Sequence, residues 1–260
     1  MTVNIPGSLP AVPPATWTTL PKRARLVVLS AGVSDPSSTR LLADRLAQKS
    51  VEQLHRAGVS AMVDTIELGP LAVSIAHATT AGFPDEQLQK AIRSLADADA
   101  VIAATPVYKA GTSGLFKSFV DVLDNDLLVA KPILLAATAG TSRHALVVDD
   151  QMRQLFAYMR TLTLPTAVFA APEDWGSAEL GTRIERAANE LAALVRSGAG
   201  SLITEQAWNS YQHEFDSNAA RPTQGSTSID VNTALMRLAA GGAIPRSVYD
   251  GEVDSDDSAA

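Results

Sequence analysis

The chain has 260 residues, 46% hydrophobic and 19% charged, the balance of a folded globular chain rather than a disordered one. Its formal net charge of −7 is concentrated at one end: Asp250, Glu252, Asp254, Asp256 and Asp257 lie in the last eleven residues, and without them 23 acids face 21 bases, which excludes the basic stripe of a nucleic-acid binder. The absence of cysteine excludes disulfides, thiol nucleophiles, iron–sulfur clusters and cysteine-ligated zinc together.

Residues 1–22 carry Pro6, Pro10, Pro13, Pro14 and Pro21 and show no periodicity, which predicts an extended arm. Neither a signal-type apolar run nor a stretch near the roughly 18 apolar residues of a membrane span occurs, so the expectation is a cytoplasmic protein without membrane contact. Leu26–Leu29 reads as a buried parallel strand. Leu42, Leu46, Val51 and Leu54 recur at near-helical spacing over 41–57, and Gly58 stops that helix. Ser60–Ile66 is a second strand, and Glu86–Ala96 a helix capped by Asp85. Ala100–Ala104 is a third strand and Gly114–Leu123 a helix whose apolar stripe is Leu115, Phe119 and Val122. Ile133–Ala137 is a fourth strand, followed by a helix over about 146–160. Thr166–Ala170 is a fifth strand and Ala178–Val195 the closing helix.

Five strands alternating with five helices predict an α/β fold with a five-stranded parallel sheet and right-handed crossovers. In about 170 residues the economical order is flavodoxin-like, a three-layer sandwich. Residues 23–198 form that domain. Residues 199–260 are expected to be a C-terminal helical extension, with helices over 205–215 and 230–240 and an acidic, disordered tail.

In such a sheet, ligands bind beyond the C-terminal strand ends, so three loops carry the chemistry. The first, 30–40, brings Ser30, Ser34, Ser37, Ser38 and Thr39 to a helix N-terminus, where free N–H groups and the helix dipole favour an anion; Arg40 adds a cation. Without G-x-G-x-x-G or G-x-x-x-x-G-K-[ST], it suits a terminal monophosphate better than a dinucleotide or a nucleoside triphosphate. One serine capping the helix is the plainer reading, although five hydroxyls exceed what one cap needs. The second loop, 105–114, has Pro106 turning the chain out of the strand, Tyr108 placed for a flat ligand, and Gly111 and Gly114 permitting close backbone approach; a plain turn with a surface tyrosine is the alternative. The third, 138–144, is small residues ending in His144, which fits either a planar ring or a turn; His55, His77 and His213 share no ligand spacing with it, so no metal is expected.

The run from Thr105 to Asp121, TPVYKAGTSGLFKSFVD, and that from Ala137 to His144, ATAGTSRH, resemble the NADPH-dependent FMN reductase family. They are most similar to the reductases that feed two-component flavin monooxygenases such as those acting on alkanesulfonates. The resemblance runs from about Leu26 to Val195. It implies that Ser30, Ser37, Ser38 and Thr39 hold the FMN phosphate. Pro106, Val107 and Tyr108 would line the ring and ribityl chain, with Lys109 and Gly111 nearby, and Thr138, Gly140 and His144 would approach from the other side. It further implies hydride transfer from NADPH or NADH to FMN without a catalytic side chain, a homodimer or tetramer with a contact near the 114–123 helix, and a flavin-dependent monooxygenase as partner. Lys109 or Arg143 would meet the NADPH phosphate. Where some members carry an aromatic residue, Gly111 and Thr112 are both small. An FMN-retaining reductase of quinones or azo dyes would use the same loops. A flavodoxin-type electron carrier would be shorter and acidic throughout, and a serine hydrolase would need the G-x-S-x-G elbow that this chain lacks.

Overall fold

The computed structural model describes residues 22–207. The expectations of an N-terminal arm, of helices beyond 207 and of an acidic tail lie outside those residues. In chain order the elements are β1 (Arg23–Ser30), α1 (Ser38–Arg56), β2 (Ser60–Glu67), α2 (Ala72–Ala81), α3 (Glu86–Ala96), β3 (Ala100–Tyr108), β4 (Gly111–Thr112), α4 (Gly114–Asp121), β5 (Pro132–Thr138), α5 (Gln154–Tyr158), β6 (Leu162–Thr163), β7 (Val168–Ala170), α6 (Ala178–Ser197) and α7 (Ala199–Ala207).

The parallel order is β2-β1-β3-β5, with β6 and β7 both on the far side of β5, which is the flavodoxin-like arrangement. Strand alternation divides the core into two layers. Leu26, Val28, Ile102, Leu134 and Ala136 face α1 and α6, which supply Leu42, Leu46, Leu54, Leu180 and Leu191. Val27, Leu29, Val101, Ala103, Ile133 and Leu135 face the opposite layer of Ile75, Leu88, Leu95, Phe116, Phe119 and Phe156. The few aromatics concentrate there: Phe116 and Phe156 meet edge to face with centroids 6.2 Å apart. Each fully buried leucine or phenylalanine contributes roughly 1.5–3 kcal/mol, so the small aliphatic side chains carry the core by number.

Four expectations change. The last strand, expected over Thr166–Ala170, is shortened to β7, and an unexpected piece, β6, pairs with β5 ahead of it; the two are parted at Pro165, which cannot donate to the ladder. The break is satisfied from outside: Arg153 donates to the Leu164 and Pro165 carbonyls, and Glu190 accepts from both the N–H and the hydroxyl of Thr166. The helix predicted over about 146–160 begins instead as a π-helical turn, Val148–Arg153, before α5; Val148, Met152, Phe156 and Met159 still form one buried face. On α4 the fully buried side chains are Phe116, Phe119 and Val120, with Leu115 and Val122 only partly covered at its margins. Finally, α2 was not foreseen. It begins at Leu71 without a side-chain cap and buries only Ser74, Ile75 and Ala78, too little pattern to read.

Candidate functional site at the C-terminal strand ends

The strand order reverses between β1 and β3, and the crest above them is built from the ends of β1, β3 and β5. In register, Ser30 lies beside Ala104, and Pro106 beside Thr138. Ser30 is 1% exposed and its hydroxyl has no partner among the described residues. A buried hydroxyl in that condition is destabilising unless something polar meets it.

Ser37 is the N-cap of α1, its Oγ accepting from the Arg40 N–H at 3.2 Å. The N–H groups of Ser38 and Thr39, in the first turn, have no acceptor among the described residues, and they stand at the positive end of a 19-residue helix. Thr39 is buried, and its hydroxyl lies 2.6 Å from that of Thr138. Each hydroxyl carries one proton, so the pair uses one in its mutual bond and keeps a second O–H to offer. Ser38 is exposed. Gly32, not singled out from the sequence, is what lets this loop close: a Cβ there would lie 2.0 Å from Ser37 Oγ and 3.1 Å from Thr39 Cβ.

Arg40 does not serve as the cation of this loop. It is bound to Asp44 at 2.8 Å and to Glu67 at 2.6 Å, and the hydrogen bond to Asp44, ahead of that to Glu67, holds its guanidinium further above the ordinary pKa. The loop therefore offers neutral donors only.

The second predicted loop is mostly strand. β3 continues through Tyr108 and turns back on itself as a hairpin with β4, pairing Val107 with Thr112 and Tyr108 with Gly111. Pro106 thus lies within β3 and does not lead the chain out of it. Its missing N–H is harmless there: Ala104 bonds Ala31 on the β1 side, and Pro106, two residues on, faces the same side past the end of β1. Its carbonyl instead accepts from Ser113 N–H. Ser113 also caps α4 by accepting from Phe116 N–H, and Thr105 Oγ1 accepts from Ser113 N–H at 3.1 Å, so the hairpin base is bonded from both sides. Pro106 and Val107 are buried, Tyr108 is 52% exposed, Lys109 is exposed and Gly111 half-buried.

The tip is a two-residue turn with Lys109 at φ 51° and Ala110 at φ 62°. Gln151, from the π-helical turn, bridges it: its Nε2 donates to the Ala110 carbonyl and its Oε1 accepts from Thr112 N–H, both at 3.1 Å. Nothing in the sequence marks this glutamine.

In the third loop Thr138 is buried at the end of β5, Gly140 is exposed and His144 is half-buried in the short helical turn Ser142–His144. Ser142 is tied to the loop after β7. There the Glu173 carboxyl sits below the ordinary glutamate range, held by its own N–H and then by the Ser142 hydroxyl. All twelve predicted residues thus lie at or just beyond the C-terminal ends of β1, β3 and β5, on one crest. Among the described residues no cluster of His, Asp and Glu is arranged to hold a metal.

A doubly wound sheet with free N–H groups and hydroxyls at its switch point and an open hairpin beside them defines a mononucleotide-binding type of α/β protein. The model of the NADPH-dependent FMN reductase family matches residues 24–176, and the chain belongs to that family. It is 37% identical to the NADH-dependent FMN reductase SfnE of Pseudomonas putida over 65% of this chain and 91% of the relative. It is 34% identical to an FMN reductase (NADPH) of Pseudomonas aeruginosa over 69% of this chain and 96% of that one. Among solved structures, an oxidoreductase from Corynebacterium diphtheriae superposes with a TM-score of 0.65 at 44% identity, over 67% of this chain and 97% of the other. The chain is an NAD(P)H-dependent FMN reductase, an oxidoreductase whose cofactors are FMN and NAD(P)H.

Proposed function

We propose that FMN is held at this crest only transiently, as a substrate that is reduced and then released to a flavin-dependent monooxygenase. The observation that carries this reading is the openness of the ring wall: Tyr108 is half-exposed, Lys109 and Gly140 are exposed, and a Cβ at Gly140 would meet nothing within 4 Å.

The donor chemistry of the first loop fits a phosphate. Ser30 offers a buried hydroxyl lacking a partner, Ser37 shapes the cap, and the N–H groups of Ser38 and Thr39 point out of a helix N-terminus. Pro106, Val107, Tyr108, Lys109 and Gly111 form one wall of the ring site, and Thr138, Gly140 and His144 the other. Bound there, FMN supplies the hydride-accepting ring and NAD(P)H the donor, so the protein needs no acid or nucleophile. Its part is to orient: the buried Pro106–Val107 strand end excludes water from one edge, and the open rim admits the nicotinamide.

Lys109 and Arg143 are exposed and carry no ion pair among the described residues, which suits them to the 2′-phosphate that distinguishes NADPH from NADH. Residues 23–198 are the catalytic domain of this reading. It includes a homodimer or tetramer with contacts near α4, checked by light scattering after size exclusion; a strict monomer removes that part.

The deciding experiment is NADPH oxidation by the purified chain with and without free FMN, after its visible spectrum is recorded. A colourless protein whose turnover saturates with added FMN supports release. A yellow protein that turns over only with a quinone or azo dye means that FMN is retained, and overturns it.

A further inference from the structure

We infer that Gln151 is a positioning residue for flavin binding, one that holds the Tyr108–Gly111 hairpin in a turn its own residues disfavour. This rests on the reading that the hairpin forms one wall of the ring site.

A two-residue hairpin turn with both central residues at positive φ is the form that matches strand twist, and it is ordinarily filled by Asn-Gly or Asp-Gly. Here the positions hold Lys109 and Ala110, each with a Cβ that opposes the left-handed region. Local sequence therefore pulls against the observed turn, and something outside the hairpin has to hold it.

Gln151 is placed to do so. Its amide reaches both sides of Gly111, giving to the Ala110 carbonyl and taking from Thr112 N–H. The orientation of the amide is fixed by its partners, since a carbonyl can only accept and an N–H can only donate. Gly111 is part of the arrangement: a Cβ there would lie 3.1 Å from Gln151 Oε1, so a larger residue would press on the bridging amide. The two bonds span Ala110 to Thr112, the segment that a relaxing turn would carry away from the crest.

The position of Gln151 in the chain gives the bridge its consequence. It lies on the π-helical turn that follows the Thr138–His144 loop by four residues, and π turns are frequent at functional sites. Arg153, on the same turn, is anchored to the Leu164 and Pro165 carbonyls and to Asp149. Gln151 thus ties the mobile type of element, a short hairpin tip, to an anchored one. It joins the hairpin wall of the ring site to the π-helical turn and sets how much flavin binding must spend on ordering the hairpin.

The test uses the full chain. In the flavin-free protein, Gln151→Ala is expected to speed hydrogen exchange at the Thr112 amide by about tenfold or more, and to raise the FMN dissociation constant, read by quenching of flavin fluorescence, by about 5- to 20-fold, the lower part of the range for two neutral hydrogen bonds, as suits an exposed side chain. Gln151→Met removes both bonds at similar volume and should reproduce the effect if the alanine variant is poorly folded. Ala110→Gly relieves the left-handed position, so the Ala110→Gly/Gln151→Ala double variant is expected to bind FMN within about threefold of the wild type. Unchanged Thr112 exchange, an unchanged FMN constant, or a defect as large in the Ala110→Gly background overturns the inference. The reading beneath it is tested separately in the wild type. If FMN protects the hairpin amides from exchange, the site stands whatever Gln151 does; if it leaves them unprotected, the site reading fails and takes the inference with it.

Discussion

At the scale of single residues, the first loop depends on atoms that are absent as much as on atoms present. A methyl group at Gly32 would sit 2.0 Å from Ser37 Oγ, and with Ser37 Cβ at 3.2 Å and Thr39 Cβ at 3.1 Å the clash has no cheap outlet. Ser37 would have to swing off the Arg40 N–H and give up the cap of α1. Gly32→Ala is therefore expected to lower stability by about 0.5–2 kcal/mol, the usual range for a lost serine cap, and to raise the FMN dissociation constant about tenfold or more. Urea unfolding and fluorescence quenching measure the two; intact FMN affinity would separate this loop from the flavin. The Thr39–Thr138 pair makes a different kind of demand. Thr39→Val leaves Thr138 Oγ1 buried without its partner and should destabilise by about 1–3 kcal/mol, whereas Thr39→Val/Thr138→Val removes both polar atoms and should cost less than the sum of the single changes. Asp85 gives a pH test away from the site. Its carboxyl lies below the ordinary aspartate range because Leu88 N–H, then the Ser74 hydroxyl, hydrogen-bonds it at the head of α3. A depressed carboxylate stabilises above its unfolded pKa, near 3.9, and that stabilisation disappears as pH falls through the lower folded value. The Tm deficit of Asp85→Asn should thus be present at pH 7 and shrink below about pH 4; a deficit independent of pH would contradict the assignment.

At the scale of elements, what could be read from the sequence was what local pattern decides. α3 starts and stops where Asp85 and the run Leu88, Ile92, Leu95 place it, and β1, β3 and β5 follow their apolar runs. The parts that escaped are set by partners distant in the chain. The break in the last strand is stabilised by Arg153 and Glu190, and no window around Pro165 contains them. The hairpin at the end of β3 carries Lys-Ala where a readable turn would carry Asn-Gly, because Gln151 takes over what the turn residues ordinarily do. The candidate site was legible as three loops, since strand ends locate it and hydroxyls, glycines and Tyr108 populate it. Gly32 and Gln151 were not, because their importance is a distance, not a pattern. The strand break yields a prediction of its own. Glu190→Ala frees the Thr166 N–H and hydroxyl from a charged acceptor and should destabilise by about 1–3 kcal/mol in urea unfolding, with KM for FMN unchanged. A shift in KM of more than a few-fold would mean that the β6–β7 break communicates with the crest.

At the scale of the molecule, the crest and α7 sit at opposite ends of β5. The crest lies at Thr138, the last residue of β5, while α7 meets the first: a Cβ at Gly200 would lie 2.6 Å from the Ala130 carbonyl oxygen and 3.6 Å from Pro132. Seven residues of strand separate these points, about 20 Å. α6 ends in Gly198, whose φ of 65° turns the chain directly into α7, so Gly200 is set against the start of β5 rather than against the crest. A chain ending at Ala207 keeps every described residue, α7 and the crest included, and is therefore expected to keep kcat and KM for FMN within about twofold of the full chain. A chain ending at Ser197 should differ in another way. It removes α7 from Ala130 and Pro132, and with it the Gly198 cap, so Tm should fall while KM for FMN holds. The two truncations separate the roles of the extension. If ending at Ala207 raises KM for FMN tenfold, residues 208–260 act on the flavin site and the domain limit drawn at 198 is wrong. If both truncations preserve KM and only the shorter chain melts early, α7 is a brace for the start of β5, and the acidic end of the chain is free to serve something other than hydride transfer.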